Sequence, residues 1–383
     1  MKDQTLLSFA NFFSAIHFFL VVYVMAPYLA TLMPANVSGI ALSLGAIVTL
    51  STFPFMPKLV ARQGAQPLAI LFAGLEFLIL ILLASSPSPL LAVLLIALAC
   101  ATSPLLAYQL DLLLEASVED EATTGRVRTT FLTAGNIALV LTPLLIGLLL
   151  GTGNQYPRVF MVAALSLIPF VFLMIAKRLP RPETPKMHSL TDACLCIAND
   201  TDLRAVALAN AVLQFFYHLA PIFIPLYLHT VLFIPWSTLG WMFAIMLVPF
   251  VLLEYPAGYL ADKKMGDKFF LAVGFVIIGL SFAALGIVGV GTPLWVILAI
   301  LITTRIGAAL VEAMAEGHFF RRVTEEDTNT VSVFRMMRPM GALIAPIIGT
   351  LLLSSIGYAG LFFVSGFLIL ITGFVSSLSI RAH

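Results

Sequence analysis

The sequence predicts an all-α polytopic membrane protein, with twelve transmembrane helices forming two pseudo-symmetric six-helix bundles. Three observations predict it. Of 383 residues, 61% are hydrophobic and only 10% charged, with a mean hydropathy of +1.06, which no water-soluble globular chain carries. Apolar runs of bilayer-spanning length, about 20 residues each, recur along the whole chain. The second half also repeats landmarks of the first at a spacing near 202.

In chain order, the runs fall near 6–32, 37–57, 67–86, 89–115, 127–151 and 157–176, then 204–232, 236–260, 268–290, 294–315, 332–354 and 358–379. The first exceeds signal-peptide length and has no small-residue cleavage site, so it reads as a retained helix. The breaks alternate in character. Those at Pro34–Asn36, Ser86–Ser88, Thr230–Pro235, Gly291–Pro293 and Ser355–Gly357 contain no Lys or Arg, whereas the others hold 18 of the 20 basic residues. Arg158 stands on the opposite side and Arg305 at membrane depth. The positive-inside rule therefore puts both termini in the cytoplasm, in a multi-pass protein of the plasma or inner membrane.

The longest polar segment, Lys177 to Asp202, divides the runs six and six. Expected domains are 1–176, a cytoplasmic linker at 177–203, and 204–383. Between the halves Pro54 and Gly64 match Pro256 and Gly266, His17 matches His218, and Asp111 and Glu115 match Glu312 and Glu316. Gly135 with Pro143 resembles Gly341 with Pro346. An even number of spans per half makes the repeat parallel, with its axis along the membrane normal.

Polar groups at membrane depth must face protein or water. In the seventh run Asn210, Gln214, Tyr217, His218, Pro221 and Pro225 form one continuous helical face. The fourth run carries Pro104, Tyr108, Asp111 and Glu115, and the tenth Arg305, Ala309, Glu312 and Glu316, at the same spacing. The first gives Asn11, Ser14 and His17. A histidine can bond a neighbouring carbonyl, contact substrate or carry a proton, since imidazole changes charge near neutral pH. Arg305 needs neutralising, by Glu312, Glu76 or an anionic substrate. Glu76, in the third run, reads as a proton carrier or as a neutral hydrogen-bonding group. Phe215, Phe216 and Phe223 read as packing or as an apolar pocket wall.

The stretch EYPAGYLADKKMGDK, Glu254 to Lys268, stacks Glu254, Gly258 and Asp262 on one helix face that runs out to a charged tight turn. Gly258, Leu260, Ala261, Asp262, Lys263 and Gly266 resemble the loop motif of the major facilitator superfamily (MFS). One extra residue precedes Gly266, and Asp267 stands where the family carries a base. The resemblance covers the whole chain by topology, and implies the MFS fold with a substrate cavity lined by the first, fourth, seventh and tenth helices. Its residues here would be Asn11, His17, Tyr108, Asn210, Gln214, Tyr217, His218 and Arg305. Proton-coupling candidates are Glu76, Asp111, His17, His218 and Glu312. The resemblance further implies a cytoplasmic gate of Glu254, Gly258, Asp262, Lys263 and Gly266, with Glu115 and Glu316 pairing Arg126, Arg128, Arg335 and Arg338. The matching first-half loop keeps Lys58, Arg62 and Gly64 but has no acid.

The expected function is secondary active transport of a small molecule by alternating access, proton-coupled, with export of amphiphilic compounds favoured by the apolar cavity. The alternative, favoured by Arg305 and the histidines, is import of a small polar or anionic metabolite. No nucleotide-binding loop occurs, and the catalytic patterns H-E-x-x-H and G-x-S-x-G are absent, which argues against an ATP-driven pump and a membrane enzyme. The loops are too short for a receptor. Three cysteines, two of them one residue apart, suggest neither disulfide nor metal site. No cofactor and no nucleic-acid partner is expected; the expected partners are substrate, protons and lipid, and the expected unit is a monomer.

Overall fold

The computed structural model describes residues 3–117, 121–181, 190–250, 252–253, 266–322 and 328–380, and among them every regular element is helical. The first six spans are α1 (Asp3–Ala30), α2 (Ser38–Gln63), α3 (Ala65–Ala84), α4 (Pro89–Ala116), α5 (Glu121–Leu150) and α6 (Tyr156–Ala176). A linker helix, Leu190–Asn199, follows. Then come α7 (Thr201–Thr230), α8 (Trp236–Phe250), α9 (Gly266–Ile287) and α10 (Leu294–Arg322). Thr328–Ser379 runs on as one helix except at Gly357, whose φ of 69° and ψ of −174° divide it into α11 (328–356) and α12 (358–379). That kink lies at the break expected from Ser355–Gly357. Ten described helices are long and apolar enough to span a membrane; one of them holds both α11 and α12, and α8 is a shorter apolar helix. The count is consistent with twelve.

Of the expected gate, Glu254, Gly258, Asp262 and Lys263 lie outside the described residues, as do the side chains of Arg126 and Arg128.

By packing, the chain forms two compact units. The first comprises Met1–Pro185 with Ile224–Ala244, the second Lys186–Phe223 with Ile245–His383. In the first, α1 packs on α5 and α6, α3 on α4 and α6, and α2 on α4. In the second, α9 packs on α10 and on the α11–α12 helix. Small residues set these distances: a Cβ on Gly307 of α10 would stand 2.7 Å from the Gly274 carbonyl of α9, so only glycine allows that crossing. The linker helix seats Ile197 against Ala207 and Val333 of the second unit. Asp200 then starts α7, its carboxylate accepting from the Asp202 and Leu203 amides at 2.8 and 3.1 Å.

The helix faces sort by polarity of surroundings. On α3, Leu71, Leu75, Leu78 and Leu82 are exposed along one stripe, a surface suited to lipid, while Ala69, Ala73, Glu76, Leu80 and Leu83 are buried. A carboxylate thus sits on the protein-facing side.

The repeat is visible in bonds as well as in sequence. Gly64 and Gly266, 202 apart, both turn with positive φ (89° and 70°) just where α3 and α9 begin. Two residues on, Gln66 donates to the Lys177 carbonyl past the end of α6 (2.7 Å), and Lys268 to the Leu378 carbonyl at the end of α12 (2.7 Å). Asn11 donates its amide to the Phe131 carbonyl of α5 (2.9 Å), and Asn210 to the Phe334 carbonyl of α11 (3.3 Å).

Candidate functional site

Polar clusters occur in each unit. In the first, Glu76 of α3 is fully buried, and its Oε1 lies 2.6 Å from the hydroxyls of both Thr102 and Ser103 on α4. Its Oε2 stands 3.3 Å from Nε2 of His17, 1% exposed, on α1. The hydrogen-bond sense follows from the other ring nitrogen. Nδ1 of His17 faces the Ser14 carbonyl at 3.2 Å, and a carbonyl only accepts, so Nδ1 carries a hydrogen. One proton then serves the Nε2–Oε2 line: either the acid donates to a neutral ring, or an imidazolium donates to a carboxylate. Three helices therefore hold a site whose charge separation depends on where one proton sits.

In the second unit the polar face of α7 meets α10 and α11. Tyr217 donates to Oε2 of Glu312 at 2.5 Å, joining α7 to α10. Nδ1 of His218 donates to the Gln214 carbonyl at 2.8 Å. Asn210 and Gln214 are 6% and 7% exposed, and Gln214 Nε2 donates to Asn210 Oδ1 at 3.3 Å. Glu316 and Arg338, both exposed, act electrostatically on Glu312.

Arg305 is 3% exposed, and its guanidinium carbon lies 5.2 Å from the centroid of the Phe216 ring, a cation–π distance. Phe216 itself is fully buried and meets Phe282 of α9 edge-on. The arginine is thus packed between α10, α7 and the α9 side of the unit. Phe223 is fully buried as well, whereas Phe215 lines a half-open apolar groove with Val212, Met337 and Gly341 and with Ile344 and Leu368, which are exposed. Tyr108 is half-buried with its ring 5.2 Å from that of Phe53, Asp111 and Glu115 are exposed on α4, and Arg335 is half-buried on α11.

Two clusters carry residues that sequence reasoning missed. At one end of the second unit, His318 of α10 is 2% exposed and stands between two carboxylates, Asp267 at 2.8 Å and Asp202 at 3.2 Å. Arg321 pairs with Asp267, and Arg322 with Asp202 at 2.6 Å. With acids on both ring nitrogens, each nitrogen donates. This gives Asp267 a local role: the acid that stands where the resembled loop motif carries a base is a partner for His318 and Arg321. That substitution and the histidine at the end of a charged run were the available signals.

The other cluster lies in the first unit, at the helix ends away from the basic segments. There the amide of Ser237 donates to the Gly151 carbonyl at 3.0 Å, and His229 bridges the Asn154 side chain (2.8 Å) and the Ile234 carbonyl (3.0 Å). Trp236, fully buried, meets His229 and Tyr156. A Cβ on Gly240 would fall 2.7 Å from the Pro143 carbonyl and 2.9 Å from Cα of Gly147. Gly240→Val is expected to part α5 from α8 at a cost of about 1–3 kcal/mol. Acrylamide quenching of Trp236, with Trp241 and Trp295 replaced by Phe, should rise; unchanged quenching would mean that this contact does not hold α8 against α5.

The Major Facilitator Superfamily model matches residues 206–382. No curated protein matches the sequence. Among solved structures, the nucleoside transporter NupG aligns over 100% of both chains with a TM-score of 0.78 at 13% identity. A bacterial homolog of the human lysosomal transporter Spinster aligns over 99% of this chain and 97% of its own, with a TM-score of 0.77 at 12% identity. A POT family transporter, solved with a thioalcohol-conjugated peptide, aligns over 97% and 94%, with a TM-score of 0.77 at 10% identity. These identities establish a shared fold. The family model thus matches the second half of the chain, and along its whole length the chain shares the fold of these solved transporters.

Proposed function

We propose that this protein is a proton-coupled secondary transporter that works by alternating access and exports amphiphilic compounds. The observation that carries the coupling is the buried His17–Glu76 pair, where one proton decides between a neutral pair and an ion pair inside an apolar bundle. Loading or emptying such a site changes the electrostatic cost of the buried state, which is what couples a proton to a conformational step. The half-open apolar groove beside Phe215 supports an amphiphilic substrate. Export suits that class, because such compounds enter a bilayer unaided and need work only to leave. The six-plus-six division at 177–203 and both termini in the cytoplasm belong to this proposal, as does a monomeric unit.

Import of a small polar metabolite is the second reading. The ladder of Asn210, Gln214 and His218 along α7 favours it. Arg305, buried on α10 with its guanidinium over the Phe216 ring, keeps an anionic metabolite within this second reading.

Counterflow tests the transport reading itself. Proteoliposomes preloaded with unlabelled substrate should transiently accumulate labelled substrate above its outside concentration. A protein that bound the compound without such an overshoot would be a receptor.

A further inference from the structure

The polar face of α7 has a fixed hydrogen-bond sense, and that sense selects a substrate class; this inference rests on the proposed transport function and deepens it. The chain of direction starts at the Phe334 carbonyl, which can only accept. Asn210 must therefore turn its amide nitrogen towards it, 3.3 Å away, and leave Oδ1 facing Gln214. The equivalent Asn11–Phe131 bond in the first unit, at 2.9 Å, has the same sense. Asn210 Oδ1 accepts from Gln214 Nε2 at 3.3 Å, so Gln214 cannot be flipped without facing two oxygens together. Gln214 Oε1 is then left as an acceptor, buried and with no partner among the described residues. A buried acceptor with no donor is costly.

One turn on, His218 commits its Nδ1 hydrogen to the Gln214 carbonyl, so in the neutral ring Nε2 presents a lone pair. Tyr217 spends its hydroxyl hydrogen on Glu312 and has none left to donate to a ligand. Glu312 adds a carboxylate, within electrostatic range of a second, Glu316, and of one guanidinium, Arg338. Acceptors outnumber donors on this face, and its charged groups sum to net negative when both acids are ionised. Arg305 lies about two turns along α10 from Glu312, over the Phe216 ring.

We infer that the face formed by Gln214, Tyr217, His218 and Glu312 binds a substrate through its N–H or O–H donors, so that the transported compound carries an amine-like or hydroxyl head and is not an anion. Carboxylate or phosphate oxygens would meet acceptors, a mismatch that leaves buried polar groups unpaired on both sides.

Three aromatic probes of similar size separate the possibilities: phenethylammonium, its trimethylammonium analogue, which has charge without N–H, and hydrocinnamate. Apparent affinities come from thermal-shift titrations of the full chain in detergent. Phenethylammonium is expected to bind about tenfold or more tightly than the trimethyl analogue, with no stabilisation by hydrocinnamate. Gln214→Leu and the near-isosteric Gln214→Met should each erase the preference between the two cations, and a ligand-free melting transition kept in either variant shows that its fold is intact. Equal or tighter binding of hydrocinnamate, an unaltered preference in Gln214→Leu, or binding of none of the three would overturn the inference. Hydrocinnamate counterflow would overturn it and leave transport standing; amine binding with the predicted preference but no counterflow would do the reverse.

Discussion

Glu76→Gln is expected to abolish transport driven by a pH gradient, lowering it by about a hundredfold or more, while downhill exchange of substrate continues. The amide has the shape of the protonated acid. Its oxygen still accepts from Ser103, and its nitrogen can still donate to the neutral His17 ring, so the bundle stays packed with every bond of the proton-loaded state. What it cannot do is release the proton. A purely structural Glu76 would lose nothing by the change, and coupling would survive it; Glu76→Gln that still concentrates substrate against its gradient therefore sinks the coupling role. Measuring initial uptake in proteoliposomes with and without an imposed gradient separates the two. Glu76→Ala is a poorer probe, because it takes the carboxyl partner from the buried His17 ring and from the Ser103 hydroxyl.

Asp202→Ala should be the most destabilising single change in the second unit, at about 3–5 kcal/mol. Asp202 is 1% exposed and pairs with both His318 and Arg322, so its removal leaves the buried Nε2–H of His318 without its acceptor and takes a counter-ion from Arg322. It also ties the start of α7 to the end of α10, while Asp267 ties in α9. Asp267→Ala should cost less, because its second partner, Arg321, is half exposed and can turn to water. Thermal unfolding of the two variants checks the order; equal losses, or none for Asp202→Ala, would mean that the cluster does not hold these helix ends.

Much of this architecture is legible from hydropathy, because lipid forces long apolar runs and leaves charge only at their ends. The repeat was legible where a backbone demand recurs: Gly64 and Gly266 are kept for positive φ, and the kink at Gly357 lies at the expected break. Polar stripes were legible by helical spacing, which brought Tyr217 into view with Glu312. Spacing within one helix says nothing about neighbours on other helices, so the contact of Glu76 with Thr102, Ser103 and His17 was not readable. Asp202 and Asp267 looked like solvated charges at segment ends, because their partner His318 is more than fifty residues from either. Gly147 and Gly240 were invisible for another reason: a glycine in an apolar run gives no sign of which backbone it lets approach.

The most direct measurement is uptake by proteoliposomes holding the wild-type protein, with a pH gradient as the sole driving force. The account predicts that the gradient drives substrate to a higher concentration on one side, and that a protonophore collapses it to the passive level. Accumulation indifferent to the gradient, with counterflow intact, would contradict proton coupling and leave His17 and Glu76 as structural partners.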